Sequence, residues 1–541
     1  MKIKIVFTSL AIAAFLSCGA SAQTPSPSAN SCEALAKVAL PQAKITSAQS
    51  VAAGAFSISA TGAPAPPAEN SPFRSLPAFC RVAVEASPSA DSDIKIEVWL
   101  PASGWNGKFQ GQGNGGFAGQ IDYGSMGFAL RNGYASASTD TGHSSASMTA
   151  TSWAPGHPEK VIDFGYRAIH VMTQIAKILV NSFYGSNARY SYFAACSNGG
   201  RQALMEAQRY PDDYDGILAG APANFWTHLL TNGIWNTQAL IQDPASYIPA
   251  QKLPAIAAAV NNACDKLDGV ADGVLNDPRQ CHFDPAVLLC KTGDSNSCLT
   301  APQITALKKL YEGAHDSHSH QIFPGFFPGA ETGGNGWSYW ITGSTPTGSL
   351  GLSFAAGFFS NVVYEKPDWD IVHASIDDAV ATADQKLAAV FNAVDANLAP
   401  FKARGGKLII YHGWNDPAIP AGNTVSYYNA VIAKMGQENA DSFVRVYMVP
   451  GMQHCAAGPG ADSFGAGISP LPTDPQHSLE LSLEQWVEKR TAPSTIIATK
   501  FNADRTVKFT RPLCPYPLSA KYNGTGDTNS AASFTCALSS H

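Results

Sequence analysis

Charged residues are scarce in this 541-residue chain, since Asp, Glu, Lys and Arg together make up only 14% of it. The chain also lacks a basic block: 41 Asp and Glu outnumber 35 Lys and Arg, which leaves a formal net charge of −6 at pH 7. This balance argues against a nucleic acid partner. No apolar run is long and uninterrupted enough for a stable membrane span. Hydrophobic residues still make up 45% of the chain, which excludes wholesale disorder and predicts a large folded core.

The first 22 residues have the pattern of an export signal. Two lysines within the first four residues precede an apolar stretch from Ile5 to Leu16, and Ala20-Ser21-Ala22 is a typical cleavage site. The pattern predicts a secreted or periplasmic protein whose mature chain starts at residue 23. A lipoprotein signal ending at Cys18 is the less favoured alternative, because Phe15 is a poor residue at the start of such a signal.

The cysteines agree with export. Without Cys18, ten of the 11 cysteines remain, and an even number in an exported chain favours five disulfides over buried free thiols. Spacing alone does not fix the pairing. Three pairs of near neighbours are plausible: Cys264 with Cys281, Cys290 with Cys298, and Cys514 with Cys536.

The order of apolar segments predicts an α/β protein. Strands are predicted at residues 94–100, 190–195, 215–220, 407–411 and 443–449, and helices at 166–183, 200–210 and 478–489. This alternation is typical of a parallel α/β sheet. Residues 225–395 interrupt it with four cysteines, an aromatic-rich stretch and helices near 301–312 and 375–395. We therefore predict one α/β domain formed by residues 23–224 and 396–541, with residues 225–395 inserted into it.

Ser197 is the candidate nucleophile. It follows an apolar strand and precedes a helix, in the segment Ala195-Cys196-Ser197-Asn198-Gly199-Gly200. This is the context of the G-x-S-x-G nucleophile elbow, in which small residues flank a Ser on a sharp turn. Ala195 replaces the first glycine and is small enough for that position. The alternative is a Ser that caps an ordinary helix.

A serine nucleophile needs a base, and the base needs an orienting acid. In the α/β-hydrolase order of Ser, Asp and His, Asp416 is the candidate acid and His454 the candidate base. Both follow predicted strands, where catalytic groups lie in open α/β sheets. His412 is the rival base, although it precedes the acid in the chain.

Two backbone N–H groups are candidates for stabilising an oxyanion. One belongs to Asn198, the residue after the nucleophile. The other is predicted in the glycine-rich loop at 111–117, with Gly116 preferred and Phe117 next. This loop lacks the Lys-Ser/Thr of a phosphate-binding loop, so a nucleotide is not expected.

Cysteines beside the serine and the histidine add a more specific pattern. Cys196 precedes Ser197 and Cys455 follows His454, and in this the chain resembles the tannase and feruloyl esterase family of α/β-hydrolases, which includes mono-(2-hydroxyethyl) terephthalate hydrolases. The resemblance runs from about Cys32 to Cys536. It implies an α/β-hydrolase fold with a large inserted lid at 225–395. It also implies disulfides Cys32–Cys80 and Cys196–Cys455 beside the three near-neighbour pairs.

The same resemblance implies a structural Ca²⁺ in the lid and no organic cofactor. The matching segment has the pattern D-x-x-D-G-x-x-D-G, and closely spaced carboxylates suit a hard cation. The implied ligands are the side chains of Asp265, Asp268 and Asp272 and the carbonyls of Val270 and Val274. A solvated acidic turn is the alternative.

The triad pattern and the signal favour a secreted serine carboxylic ester hydrolase that acts through an acyl-enzyme, and the resemblance implies that it cleaves small aromatic esters, hydroxycinnamates or gallates. Tannase-type or terephthalate-monoester specificity, a non-catalytic binding protein and a peptidase of the same fold are the alternatives. The lid holds no Arg between Arg279 and Arg404, and its Lys366 precedes Pro367-Asp368. A free carboxylate on the acyl group would therefore lack a strong partner. Five aromatic residues are candidates for the lining of the acyl pocket: Trp337, Trp340, Phe354, Phe358 and Phe359.

Overall fold

The computed structural model describes Met1 and residues 31–58, 71–466 and 474–538. Most of the predicted export signal, residues 2–22 including Cys18, lies outside the described residues. Within the described ranges, no helix has the length and apolarity that a membrane crossing needs.

Nine strands form one mixed sheet, and four further strands form two small antiparallel pairs. The strands are β1 Ala43–Val51, β2 Phe79–Ala86, β3 Ile94–Pro101, β4 Lys108–Gln112, β5 Ala135–Thr139, β6 Tyr190–Cys196, β7 Gly216–Gly220, β8 Lys407–Gly413, β9 Val444–Val449, β10 Ile496–Phe501, β11 Val507–Leu513, β12 Leu518–Tyr522 and β13 Phe534–Leu538. The order in the large sheet is β1-β2-β3-β5-β4-β6-β7-β8-β9. Its first pairs are antiparallel, and the pairs from β5 to β9 are parallel.

Helices cover both faces of the parallel half. They are α1 Tyr123–Arg131, α2 Pro158–Ile162, α3 Ala168–Tyr184, α4 Asn198–Arg209, α5 Trp226–Ile241, α6 Leu253–Cys264, α7 Ala301–Glu312, α8 Trp337–Trp340, α9 Leu350–Gly357, α10 Ile376–Phe391, α11 Ala399–Ala403, α12 Gly422–Met435, α13 Gln437–Asp441 and α14 Leu479–Lys489. One core cluster joins α3, α4 and α12 to the sheet, and another joins α1 and α14 to its opposite face. Every residue of β7 is buried, as expected for a parallel strand covered on both sides.

The predicted elements agree closely with the observed ones. The helix predicted at 301–312 matches α7, where Thr300 forms a capping box with Gln303. The helix predicted from residue 166 begins at Ala168, because the preceding residues Asp163–Arg167 form a π-helical turn. The helix predicted at 375–395 ends at Phe391. The α/β-hydrolase fold is confirmed.

The inserted segment leaves and re-enters the sheet at adjacent strands. β7 and β8 pair in parallel from Gly216 opposite Lys407 to Gly220 opposite Tyr411, and the chain between them, 221–406, contains α5 to α11. The predicted lid at 225–395 falls inside this segment. Its helices pack against the body of the protein through Phe117 and Phe164, which share a core cluster with residues of α5 and α10.

Five disulfides tie the chain together, as predicted. Their pairs are Cys32–Cys80, Cys196–Cys455, Cys264–Cys281, Cys290–Cys298 and Cys514–Cys536. Such a number of disulfides indicates an extracellular or periplasmic protein.

Candidate active site

Ser197 lies on a strained turn between β6 and α4. Its backbone has φ +68° and ψ −125°, which residues other than glycine rarely adopt. The neighbouring residues must be small: a Cβ on Gly199 would lie 2.5 Å from the Cβ of Ala195, and one on Gly200 would lie 2.2 Å from the carbonyl oxygen of Gly220. This geometry is that of a nucleophile elbow, with Ala195 filling the place of the first glycine.

The structure brings the three predicted triad residues into one hydrogen-bonded chain. His454 Nε2 lies 3.0 Å from Ser197 Oγ, and His454 Nδ1 lies 2.8 Å from Asp416 Oδ2. Asp416 follows β8 and His454 follows β9, so the sheet delivers them to the edge where β6 ends at the serine. The arrangement can move a proton from the serine to the imidazole.

Asp416 is held as a carboxylate. Its Oδ1 accepts hydrogen bonds from the backbone N–H groups of Ala418 (2.8 Å) and Ile419 (2.9 Å). Burial favours the neutral acid, but the histidines His454 and His412 outweigh it and hold the pKa of Asp416 well below its ordinary value. Asp416 therefore stays charged at neutral pH.

His412, the rival base, lies on the other side of the acid. Its Nε2 is 3.2 Å from Asp416 Oδ2, and its Nδ1 is 2.7 Å from Thr424 Oγ1. Its side chain is fully buried, and the serine hydroxyl pairs with His454 instead. His412 therefore supports the acid and does not act on the serine.

The bond Cys196–Cys455 joins the two loops that carry the serine and the histidine. It connects the residue before Ser197 to the residue after His454, across 259 positions of sequence. Strands β7 and β8 lie between β6 and β9 in the sheet, so no strand pairing joins these two segments directly. The disulfide restrains their separation directly.

The candidate oxyanion groups border the same cavity as the serine. Asn198 is the first residue of α4, so its N–H has no acceptor within the helix. Gly116 lines the cavity beside Ser197 and Asn198. The N–H of Phe117 instead donates to the carbonyl of Met148 at 2.8 Å, which removes Phe117 as the second donor and leaves Gly116.

A largely apolar cavity of about 310 Å³ opens at Ser197, between the lid and the sheet. Of the five aromatic candidates, Trp340 and Phe354 line it; the Trp340 ring stands edge-to-face on His454, with centroids 4.9 Å apart. Trp337, Phe358 and Phe359 are buried in the packing of the lid instead. No Asp, Glu, Lys or Arg of the described chain borders this cavity.

Sequence reasoning missed the part of the wall that α5 provides. Trp226, Leu229, Leu230, Gly233 and Asn236 recur at helical spacing and all border the cavity. The periodicity was a usable signal, although it does not show whether such a face covers a core or a cavity.

The predicted calcium loop carries three carboxylates, which are donors of the kind that a hard cation prefers. Asp265 and Asp268 accept hydrogen bonds from N–H groups of their own loop, and burial together with Asp272 and Asp265 raises the pKa of Asp268 to about 6. Asp272 is ion-paired with Arg511 at 2.5 Å. Among the described residues, the carboxylate oxygens of these three aspartates do not all come within 4.8 Å of one another. The donors fit a hard cation in kind, although the three carboxylates do not form a compact ligand set here.

Comparison with known proteins agrees with this geometry. The family model described as tannase and feruloyl esterase matches residues 80–537. An uncharacterized esterase of Xanthomonas campestris pv. campestris is 42% identical over 96% of this chain and 93% of its own. A probable feruloyl esterase B-1 of Aspergillus fumigatus is 32% identical over 85% of each chain.

Solved structures show the same relationship. Feruloyl esterase B from Aspergillus oryzae superposes with a TM-score of 0.85 at 30% identity, over 94% of this chain and 99% of that one. Tannin acyl hydrolase from Aspergillus niger shares the fold, with a TM-score of 0.72 at 24% identity, over 94% and 95%. The chain therefore belongs to the tannase and feruloyl esterase family and is a carboxylic ester hydrolase.

Proposed function

We propose that the protein is an exported serine esterase that cleaves hydroxycinnamate or gallate esters through Ser197, His454 and Asp416. The observation that carries this proposal is the hydroxyl of Ser197, held on a strained turn at 3.0 Å from His454 Nε2 and open to an apolar cavity. The names of the similar proteins support the substrate class. The predicted signal supports export, and sequencing of the exported protein should start at Gln23.

The first half of the reaction forms an acyl-enzyme. Ser197 Oγ attacks the ester carbonyl while His454 Nε2 takes the hydroxyl proton. Asp416 accepts the Nδ1 proton of His454 in a hydrogen bond, which fixes the tautomer and stabilises the imidazolium. The N–H groups of Asn198 and Gly116 stabilise the oxyanion. His454 then returns the proton to the departing alcohol, which breaks the ester bond.

The second half releases the acid. Water enters, His454 takes one of its protons, and the hydroxide attacks the carbonyl carbon of the acyl-enzyme. The tetrahedral intermediate collapses as Ser197 recovers its proton from His454. Trp340 packs edge-to-face against the His454 ring during both halves.

Labelling and turnover test the proposal together. A fluorophosphonate should modify Ser197 and abolish hydrolysis of methyl ferulate, and Ser197→Ala should lose turnover by at least about 10³-fold. Ser482→Ala is the matched control, because Ser482 lies on α14 and its hydroxyl donates to the Pro475 carbonyl outside the cavity. Full activity of Ser197→Ala would remove the triad assignment.

We also propose that the loop at 265–274 binds a structural Ca²⁺ through the side chains of Asp265, Asp268 and Asp272 and the carbonyls of Val270 and Val274. A bound cation would neutralise the acidic loop that Cys264–Cys281 encloses. It is expected to stabilise the lid without taking part in ester cleavage.

Chelation tests this second proposal. The melting temperature should fall after calcium is removed and recover when it is returned, because the ion binds only the folded state. Asp268→Ala should abolish the response, whereas Asp284→Ala, an exposed lid aspartate, should keep it. An unchanged melting temperature, with no metal found by elemental analysis, would favour a solvated acidic turn.

A further inference from the structure

A strap of the lid, residues 328–335 between α7 and α8, runs along the loops that carry the acid and the base. Its first residues are held from the acid loop. Asn415, the residue before Asp416, donates through Nδ2 to the carbonyls of Pro328 (2.9 Å) and Gly329 (2.8 Å). The start of the strap is therefore fixed one residue away from the triad acid.

The middle of the strap is held in the same way from the base loop. Gln453, the residue before His454, donates through Nε2 to the carbonyls of Ala330 (2.8 Å) and Thr332 (2.7 Å). Its side chain is fully buried, and both hydrogens of the amide nitrogen are used. One glutamine therefore satisfies two carbonyls of the strap beside the triad base.

The end of the strap returns a contact to the base itself. Asn335 Nδ2 donates to the backbone carbonyl of His454 at 2.9 Å, and Asn335 Oδ1 accepts from Trp340 Nε1 at 3.0 Å. The Trp340 ring in turn stands edge-to-face on the His454 ring. Asn335 thus links the backbone of the base to the lid ring that packs against its imidazole.

Glycines allow the strap to lie this close to the two amides. Gly329 has φ +107°, and a Cβ there would lie 3.0 Å from Asn415 Nδ2. A Cβ on Gly336, the residue after the strap, would lie 2.9 Å from Gln453 Nε2. A side chain at either position would press on the amide that holds the strap.

We infer that the strap sets the position of the acid relative to the base, with Asn415, Gln453 and Asn335 as positioning residues. The inference rests on the proposed function, because it takes Asp416 and His454 as acid and base. None of the three amides lines the cavity at Ser197 within the described chain. Their effect is therefore on the geometry of the triad and not on contact with the ester.

The acid and base loops also touch each other, through the N–H of Asn415 and the carbonyl of Met452 at 3.2 Å. This bond lies before both catalytic residues in the chain. The strap adds restraint from the lid side, where Asn335 reaches the base residue itself. Loosening the strap should therefore displace the imidazole while the two strands stay in place.

Gln453→Met tests the inference, because it keeps the length of the side chain and removes both donated hydrogen bonds. The kcat for methyl ferulate should fall by about tenfold or more while KM changes by less than about twofold, since a small displacement of the triad is costly and no substrate contact is lost. Proton NMR provides a second measurement. The low-field resonance of the proton between His454 Nδ1 and Asp416 should shift or broaden.

Gln238→Met is the matched control. Gln238 also donates through Nε2 to two lid carbonyls, those of Ile371 (3.1 Å) and Ala374 (2.8 Å), and it does not line the cavity. Both variants should lower the melting temperature, because each loses two hydrogen bonds. Only Gln453→Met should lower kcat and change the low-field resonance.

The outcomes separate this inference from the esterase assignment. Wild-type kcat with an unchanged resonance in Gln453→Met, or an equal loss of kcat in Gln238→Met, would overturn the positioning role and leave the esterase intact. If Gln453→Met does not fold, Asn335→Ala at a half-buried position replaces it, with the same expected loss of kcat and the same contrary result. Failure of the wild type to hydrolyse methyl ferulate and methyl gallate would count against the proposed function itself.

Discussion

Arg201 is a fully buried cation one helical turn after the nucleophile. Its guanidinium donates to Asn198 Oδ1 (2.8 Å) and to the carbonyls of Gly165 (2.7 Å) and Phe164 (3.1 Å), and burial lowers its pKa to about 9. No ion pair joins it to a carboxylate in the described part of the chain. Backbone carbonyls and the rings of Phe164 and Trp226 surround the charge instead. This residue fixes the first turn of α4 against the body and the lid.

Arg201→Lys should destabilise the protein by roughly 2–4 kcal/mol, because one ammonium group cannot reach all these acceptors and leaves some of them buried without a partner. Chemical denaturation measures the free energy of unfolding. Arg209→Lys on the same helix is the control, since Arg209 is exposed and should lose less than about 1 kcal/mol. Equal losses in the two variants would contradict this role.

His143 in its neutral form stabilises the glycine-rich loop at 111–117. Its Nε2–H donates to the carbonyl of Phe117 at 2.8 Å, and its ring stacks on Trp153 with centroids 3.9 Å apart. Burial lowers the pKa of His143 from 6.5 to about 4. The loop that carries Gly116 therefore depends on an uncharged imidazole.

This shift predicts a loss of stability in acid. Between about pH 6.5 and 4, the unfolded chain binds a proton at His143 and the folded chain does not, so stability falls as the pH is lowered. In His143→Gln, the decrease in unfolding free energy over this pH range should be smaller than in the wild type by up to roughly 3 kcal/mol. Denaturation at a series of pH values measures it. His318→Gln, which changes an exposed histidine, should leave the curve unchanged. Parallel curves for wild type and His143→Gln would contradict the prediction.

At the scale of elements, sequence reasoning succeeded where local signals decide the structure. Thr300, Pro302 and Gln303 mark the start of α7, and the two residues predicted as acid and base, after β8 and β9, lie within hydrogen-bond distance of each other. Sequence reasoning failed where contacts with distant parts of the chain decide the environment of a side chain. Trp337 and Trp340 lie three residues apart on the short α8, yet the first is buried in the lid core and the second faces the cavity. Only the docking of the lid distinguishes them.

The disulfide between the serine and histidine loops should affect catalysis more than any other bridge. Replacing Cys196 and Cys455 by Ala should lower kcat by roughly 10- to 100-fold, because small displacements of the triad are costly. It should also lower stability by up to roughly 5 kcal/mol, the loop-closure value for so long a loop. Near-UV circular dichroism at low temperature checks that the variant remains folded.

The bridge Cys290–Cys298 provides the control. It closes a separation of eight residues in the lid, and its cysteines do not border the cavity. Its removal should reduce the melting temperature and leave kcat unchanged. Normal turnover in the Cys196/Cys455 double variant would separate that bridge from the mechanism.

At the scale of the whole molecule, the scarcity of charged residues matters most at the cavity, because it determines which substrates can bind there. Because no charged residue of the described chain except a protonated His454 could meet a carboxylate there, an acyl group with a free carboxylate loses its hydration without a partner. We therefore predict that kcat/KM for methyl ferulate exceeds that for mono-(2-hydroxyethyl) terephthalate by at least about tenfold.

Dimethyl terephthalate is the matched substrate for this comparison, because it has the same ring without the charge. It should be cleaved faster than the monoester. A clear preference for the monoester over both neutral esters would show that a cation reaches the pocket and would overturn the prediction.

The lid begins and ends at two strands that hydrogen-bond to each other. Because β7 and β8 run parallel, the 221–406 segment leaves at the carboxyl end of β7 and returns at the amino end of β8, roughly 13 Å away along the strand direction. A segment that is attached to two neighbouring strands of one sheet can be exchanged as a cassette, because the sheet fixes the positions of both junctions. Transplanting this segment from one relative into another should therefore transfer the donor's acyl preference, while the serine, the acid and the base still come from the recipient.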